Sequence, residues 1–113
     1  MLFRSHDNNT TLGWWRDGVT EEERAHLQTY LQPIEHECDI VGAMMRAAAA
    51  SVAYLCIFPM QDVLGLGSEA RMNTPAAAAG NWTWRYREDQ LHPGLASALA
   101  ALMEMTEIGR AHV

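Results

Sequence analysis

Basic residues are scarce in this sequence, and their scarcity excludes one class of partner. The 113 residues include 8 Lys and Arg against 14 Asp and Glu, which gives a net charge of -6 at pH 7. A field of that sign repels a phosphate backbone. Nucleic acid is therefore not an expected partner.

Long hydrophobic runs and a secretory signal are missing as well. The longest apolar stretch, residues 47–60, is interrupted by Ser51 and is shorter than the ~20 residues that a bilayer span requires. The first residues are polar and contain no apolar signal segment, and only two cysteines, Cys38 and Cys56, are present. We therefore expect no membrane partner and a reducing, cytoplasmic location.

The sequence does contain enough apolar residues to build a core. Hydrophobic residues make up 49% and charged residues 19%, a balance typical of a globular chain and wrong for a disordered one. At 113 residues the chain forms one ordinary domain at most. Any architecture that needs much more chain cannot be completed within it.

Two helices are predicted in the first half of the chain. Thr20 and Glu23 form a capping box, which predicts a helix over about 20–31 that Pro33 ends. Asp39 is a candidate N-cap for a second helix, which runs through the alanines to Ala50.

Strands are predicted on either side of these helices. Residues 1–3 have the pattern of a strand end that opens into a polar loop, and residues 52–58 form a continuous apolar run that ends at Pro59. A run of this kind is typical of a strand buried on both faces. A helix followed by such a strand is half of a parallel βα unit.

The last third of the chain predicts a long loop and a final helix. Glycine, proline and polar residues through 61–85 favour a loop with one short helical turn. Residues 93–108 predict a helix that begins at Pro93, stops at Gly109 and has an apolar face formed by Leu95, Leu99, Leu102 and Met103.

Three groups of residues are candidates for chemistry. His6 and Asp7 follow the first predicted strand, where parallel α/β folds bind ligands, although a solvated loop pair or an Asx-turn is the commoner use of such a pair. Residues 35–39 include metal-ligand types, but consecutive positions cannot converge on one ion, which favours a charged loop leading to the cap. The four tryptophans at positions 14, 15, 82 and 84 are favoured as packing anchors over sugar-stacking ligands.

Three blocks of sequence together carry a family resemblance. They read SHDNNTTLGWW at residues 5–15, PMQDVLGLGSEARMNTP at residues 59–75 and GNWTWR at residues 80–85. In this order and spacing the chain resembles the C-terminal end of the 4-alpha-glucanotransferases, also called amylomaltases or disproportionating enzymes, of glycoside hydrolase family 77.

The resemblance implies an α/β fold, the C-terminal portion of a (β/α)8 barrel. Such barrels take about 250 residues, so residues 1–113 would form a single partial domain, with the remainder of the barrel expected upstream. Met1–Ser5 would be the seventh barrel strand and Val52–Phe58 the eighth. The implied reaction transfers α-1,4-glucan segments between maltooligosaccharides by a retaining mechanism, without metal or cofactor.

The resemblance also implies roles for individual residues. Asp7 corresponds to the family's third carboxylate, which stabilises the transition state, and His6 to the neighbouring donor to the same sugar. Asn73 corresponds to a substrate-binding residue near the sugar subsites. Gln61 and Asp62 are expected to support the site without touching the substrate. The nucleophile and the acid/base correspond to earlier strands that this chain does not include.

Three positions depart from the family pattern. Arg4 stands at a usual glycine, Asn9 at a usual aspartate, and Ala76 where glycine often follows N-T-P, so we expect a strained turn with positive φ at Ala76. These departures keep an alternative open, a non-catalytic remnant or interaction module that retains part of a glucan-binding surface. The coding sequence upstream of Met1 would distinguish the two.

Overall fold

The computed structural model describes residues 8–31 and 33–106, which form helices joined by loops. Helix α1 (Thr11–Gly13) continues into a π-helical turn (Trp14–Gly18) and is followed by α2 (Glu21–Tyr30), α3 (Asp39–Ala49), α4 (Met60–Val63) and α5 (Pro93–Thr106). Short 3-10 turns lie at Ser68–Ala70 and Glu88–Gln90. Within these ranges the structure contains no strand, and the predicted strand at residues 1–5 lies outside them.

Helix α2 begins as its capping box predicts. The Thr20 hydroxyl accepts a hydrogen bond from the Glu23 backbone N–H at 3.1 Å, and the Glu23 carboxylate accepts one from the Thr20 N–H at 3.0 Å. Hydrogen bonding of the Glu23 carboxylate to the backbone N–H and the side chain of Thr20 lowers the pKa of Glu23, because it favours the charged carboxylate. The predicted helix is confirmed, and it ends at Tyr30, three residues before Pro33.

Helix α3 occupies the predicted position, but the predicted cap is wrong. Asp39 is the first residue of the helix, and its carboxylate accepts hydrogen bonds from the N–H groups of Glu35 at 3.2 Å and His36 at 3.0 Å. The N-cap is Cys38, whose side chain makes no capping hydrogen bond. The backbone of Cys38 is already helical, so the Asp39 carboxylate folds back onto the preceding turn.

The core of the described chain lies between α3 and the segment formed by α1 and the π-helical turn. Leu12 and Trp15 are buried against Ile40 and Val41, and side chains from α2 and the loops pack around this cluster. Trp15 is only 3% exposed. Arg24 covers its ring at 4.3 Å from the centroid and donates to its carbonyl oxygen at 2.7 Å, so Trp15 is a packing anchor, as predicted.

The apolar run at residues 52–58 differs most from its prediction. It is neither a strand nor buried in the described structure: Val52 and Tyr54 are 105% and 103% exposed, and Leu55 and Ile57 are also exposed. A strand exists only where neighbouring strands pair with its N–H and C=O groups. The described residues supply no such neighbour, so residues 52–58 do not form the predicted buried strand in this structure.

The final helix, α5, follows its predicted pattern. Leu95, Leu99, Leu102 and Met103 are its half-buried apolar side chains, and the helix packs on α3. An apolar cavity of about 510 Å³ remains between these two helices and the α4 region. No helix in the described ranges is long and apolar enough to span a membrane.

Candidate functional site

A cleft of about 230 Å³ forms where three separate segments of the chain meet. The first is the loop that precedes α1, the second is the start of α4, and the third is the loop over residues 71–82. The lining residues are Asn8, Asn9, Thr10, Pro59, Gln61, Asp62, Arg71, Met72 and Trp82. His6 and Asp7 lie outside the described residues, and Asn8, which follows Asp7 directly, belongs to the cleft wall.

A carboxylate clamp holds the first segment against the second. Asp62 Oδ1 accepts from the Thr11 backbone N–H at 2.9 Å, and Asp62 Oδ2 accepts from the Thr11 hydroxyl at 2.8 Å. Gln61 donates to the carbonyl of Ala70 at 3.2 Å and thereby holds the chain after α4. Both residues hold other segments of the chain in place, and both also line the cleft, so their expected role of supporting the site without touching the substrate stays a prediction.

Asn9 adds a second link, which joins the first segment to the 3-10 turn after α4. Its side-chain oxygen accepts from the Thr10 N–H at 2.8 Å, and its side-chain nitrogen donates to the Ser68 hydroxyl at 2.9 Å. A Cβ added at Gly13 would overlap the Ser68 hydroxyl and the Asn9 amide. A side chain at position 13 would therefore displace the two groups that form this link.

The loop over residues 71–82 is closed on itself by hydrogen bonds. The Trp82 N–H donates to the Met72 carbonyl at 2.6 Å, and the Asn81 side chain accepts from the Thr74 N–H at 2.9 Å and donates to the Ala77 carbonyl at 3.2 Å. Ala76 has φ 70° and Trp82 has φ 62°. Positive φ at Ala76 was expected from its glycine-like position, and this expectation is confirmed.

The predicted substrate-binding residue Asn73 lies beside the cleft. It is half-buried, and its carbonyl accepts from the Arg71 guanidinium at 2.9 Å, whereas its neighbour Met72 is the one that lines the cleft. Arg71 and Met72 also line the cleft, although neither was predicted from the sequence. Both residues belong to the 59–75 sequence block, which could have indicated them as lining residues. The block alone does not show how the loop folds, because its shape depends on the hydrogen bonds of Asn81.

The acidic run at residues 35–39 contributes to the surface and not to this cleft. Arg16 holds the Glu37 carboxylate with two hydrogen bonds of 3.0 and 2.6 Å, and this lowers the pKa of Glu37. Asp39 is engaged by the backbone of its own turn. In the described part of the chain, no three His, Cys, Asp or Glu side chains gather closely enough to hold a metal ion.

The Asp62 clamp gives a testable expectation. Asp62→Ala removes both acceptors of Thr11, and a partly buried donor that loses a charged acceptor is destabilised by about 1–3 kcal/mol. We expect the Thr11 amide to exchange with deuterium about tenfold faster or more, as measured by mass spectrometry of the peptide that contains residues 8–13. Asp89→Ala is the matched control, because Asp89 forms an exposed ion pair with Arg87 and does not line the cleft. Unchanged exchange at Thr11 in Asp62→Ala would show that the clamp does not hold this segment.

The chain is similar in sequence to known 4-alpha-glucanotransferases. A model of the 4-alpha-glucanotransferase family matches residues 1–91. The 4-alpha-glucanotransferase of Synechocystis is 46% identical over 101 residues, which cover 89% of this chain and 20% of that protein. That of Streptococcus pneumoniae serotype 4 is 42% identical over 110 residues, which cover 97% of this chain and 21% of that protein.

The chain is also similar in sequence to a protein from Solanum tuberosum and in structure to a solved amylomaltase. The potato protein, "4-alpha-glucanotransferase, chloroplastic/amyloplastic", is 51% identical over 81 residues, covering 72% of this chain and 14% of that protein. The structure of an amylomaltase from Streptococcus agalactiae in complex with acarbose superimposes with a TM-score of 0.83 at 30% identity, covering 91% of this chain and 20% of that one. The chain thus spans about a fifth of the length of most of these relatives.

Proposed function

This chain belongs to the 4-alpha-glucanotransferase family, and on that premise we propose that it serves as the C-terminal part of such an enzyme. The proposed reaction transfers α-1,4-glucan segments between maltooligosaccharides. In the proposed fold, an α/β barrel, Met1–Ser5 and Val52–Phe58 would pair with strands from the rest of the enzyme. The cytoplasmic location stays a prediction, since the potato relative is named as chloroplastic/amyloplastic.

The observation that carries this proposal is the convergence of three distant sequence blocks on one cleft. Residues 8–10 belong to the first block of the family resemblance, residues 59–72 to the second and Trp82 to the third, and all three line the same space. Hydrogen bonds across 51 and 59 positions of sequence join the first block to the second. Separate blocks gathered in this way are typical of a ligand site built on a rigid scaffold.

The proposed mechanism assigns this chain a stabilising role. A retaining glycosidase uses a nucleophilic carboxylate and an acid/base carboxylate about 5–5.5 Å apart, and the rest of the enzyme would supply both. Asp7 would stabilise the positive charge that develops on the sugar in the oxocarbenium-like transition state. His6 would donate a hydrogen bond to the same sugar, and Asn73 would contact substrate from the rim of the cleft.

The simplest test uses the 113-residue chain by itself. We expect it not to disproportionate maltotriose into glucose and longer glucans, because stabilisation by Asp7 has no reaction to assist without the nucleophile and the acid/base. The same chain joined to the N-terminal part of the Synechocystis relative, called the joined enzyme below, is expected to release glucose from maltotriose. Both are measured by an enzymatic glucose assay.

The outcomes of this test separate the proposal from its alternative. An inactive joined enzyme that still binds maltooligosaccharides would favour the glucan-binding module without activity. Glucose release by the 113-residue chain alone, abolished by Asp7→Asn, would contradict the division of roles proposed above.

A further inference from the structure

Trp82 differs from the other tryptophans of the chain in its surroundings. Trp15 is buried, whereas Trp82 is 54% exposed and forms part of the cleft wall. Trp84, two residues later, is half-buried and is not among the residues that line the cleft. A large aromatic ring that stays half open inside a cleft provides an apolar face for a ligand.

The backbone at Trp82 is held in a conformation that tryptophan rarely adopts. Its φ of 62° lies in the left-handed region, which is unfavourable for a bulky residue. The hydrogen bond from its N–H to the Met72 carbonyl and the Asn81 contacts hold the loop in this form. Unfavourable conformations that the surrounding structure enforces are concentrated at ligand sites.

The groups around the ring fit one class of ligand. The amides of Asn8 and Gln61 and the guanidinium of Arg71 line the same cleft as the Trp82 ring. A pyranose ring has C–H faces that pack on an aromatic surface and hydroxyl groups that hydrogen-bond to amides and guanidinium groups. At about 230 Å³ the cleft is smaller than the roughly 300–1,000 Å³ of sites for drug-sized ligands, so it accommodates one such ring.

We infer that the Trp82 ring is a stacking platform for a single glucose unit of the glucan and sets the affinity of this cleft for substrate. The inference rests on the proposed function for the identity of the ligand. It adds a substrate contact at Trp82 to the residues that the family resemblance implies.

The test measures equilibrium binding, so that it does not depend on turnover. The probe is a maltotetraose analogue with sulfur in place of the glycosidic oxygens, which is not cleaved, titrated into the joined enzyme by isothermal calorimetry. Trp82→Gly removes the ring and places glycine where φ is positive, so the loop is retained. We expect its Kd to rise about tenfold, which corresponds to about 1.4 kcal/mol, and we expect Trp82→Phe to remain within about threefold of the unsubstituted enzyme.

Trp84→Gly is the matched control, and its Kd should change by less than about twofold. A Trp82→Gly variant that binds the analogue as tightly as the unsubstituted enzyme would overturn the inference. The same holds if Trp82→Gly and Trp84→Gly weaken binding equally, or if the unsubstituted enzyme does not bind the analogue. Binding that depends on Trp82 without glucan transfer would leave the inference standing and contradict the proposed function.

Discussion

Replacing Asp7 by Asn in the joined enzyme should lower kcat by about 10²–10³-fold, which corresponds to roughly 3–4 kcal/mol of lost transition-state stabilisation. Asn keeps the size of the side chain and part of its hydrogen bonding but removes the negative charge. That charge is proposed to matter only when positive charge develops on the sugar, so ground-state binding should weaken little. We therefore expect KM for maltotriose to change by less than about tenfold, as measured by initial rates of glucose release.

Asn9→Asp is the matched control for Asp7→Asn, because it alters the charge of a nearby residue in the opposite direction. An aspartate at position 9 could accept hydrogen bonds from both groups that Asn9 now contacts, the Thr10 N–H and the Ser68 hydroxyl. It also restores the residue that is commoner in the family. We expect its kcat to equal or exceed that of the unsubstituted enzyme. Turnover largely retained in Asp7→Asn would instead assign Asp7 to capping of the loop, and the proposed role would be withdrawn.

The 113-residue chain alone should self-associate or remain loosely packed in solution. Residues 52–58 are apolar and uncharged, contain no proline, and include several strongly exposed side chains. Short segments of this composition pair with copies of themselves when no partner strand covers them. We expect sedimentation velocity to show species larger than a monomer, and we expect thermal unfolding to lack a sharp cooperative transition.

A charge introduced into this segment provides the control. Tyr54→Glu places a carboxylate where the side chain is fully exposed, and it should shift the sedimentation profile of the isolated chain toward monomer. In the joined enzyme the same change should lower the melting temperature, because a charge would then be buried between strands and helices. A compact monomer with a sharp melt from the unsubstituted chain would contradict the expectation.

Local sequence signals were sufficient to locate α2, α3 and α5, whereas they did not indicate α1 or the π-helical turn and were insufficient for the strand. The capping box of α2 and the apolar spacing of α5 depend on residues within a few positions of one another, so the sequence alone determines them. Residues 52–58 can form a strand only if neighbouring strands pair with them, and the hydrophobicity of the run does not show whether such strands are present. The predicted N-cap at Asp39 was wrong for a more local reason, since the N–H groups of the preceding turn bind its carboxylate.

Part of the candidate site could be predicted from the sequence. The remaining lining residues could not, because they depend on how the loop over residues 71–82 folds. The family resemblance identified the blocks that line the cleft, but it gave Gln61 and Asp62 only a supporting role, whereas both line the cleft. It did not show that Trp82 rather than Trp84 lines the cleft, because that choice follows from the left-handed backbone at Trp82 and from the Asn81 hydrogen bonds. Asp7 and His6 lie outside the described residues, so their roles stay predictions.

The hydrogen bonds between Asp62 and Thr11 join residues that are 51 positions apart, and this separation has a consequence for the order of folding. Closing a long loop costs chain entropy before any contact compensates for it, whereas α2 and α3 form from contacts close in sequence. We expect these helices to form first and the cleft to be assembled late, after residues 59–72 have been synthesised. During synthesis, Asn9 and Thr11 would therefore lack their partners Ser68 and Asp62 until α4 and the turn after it have emerged.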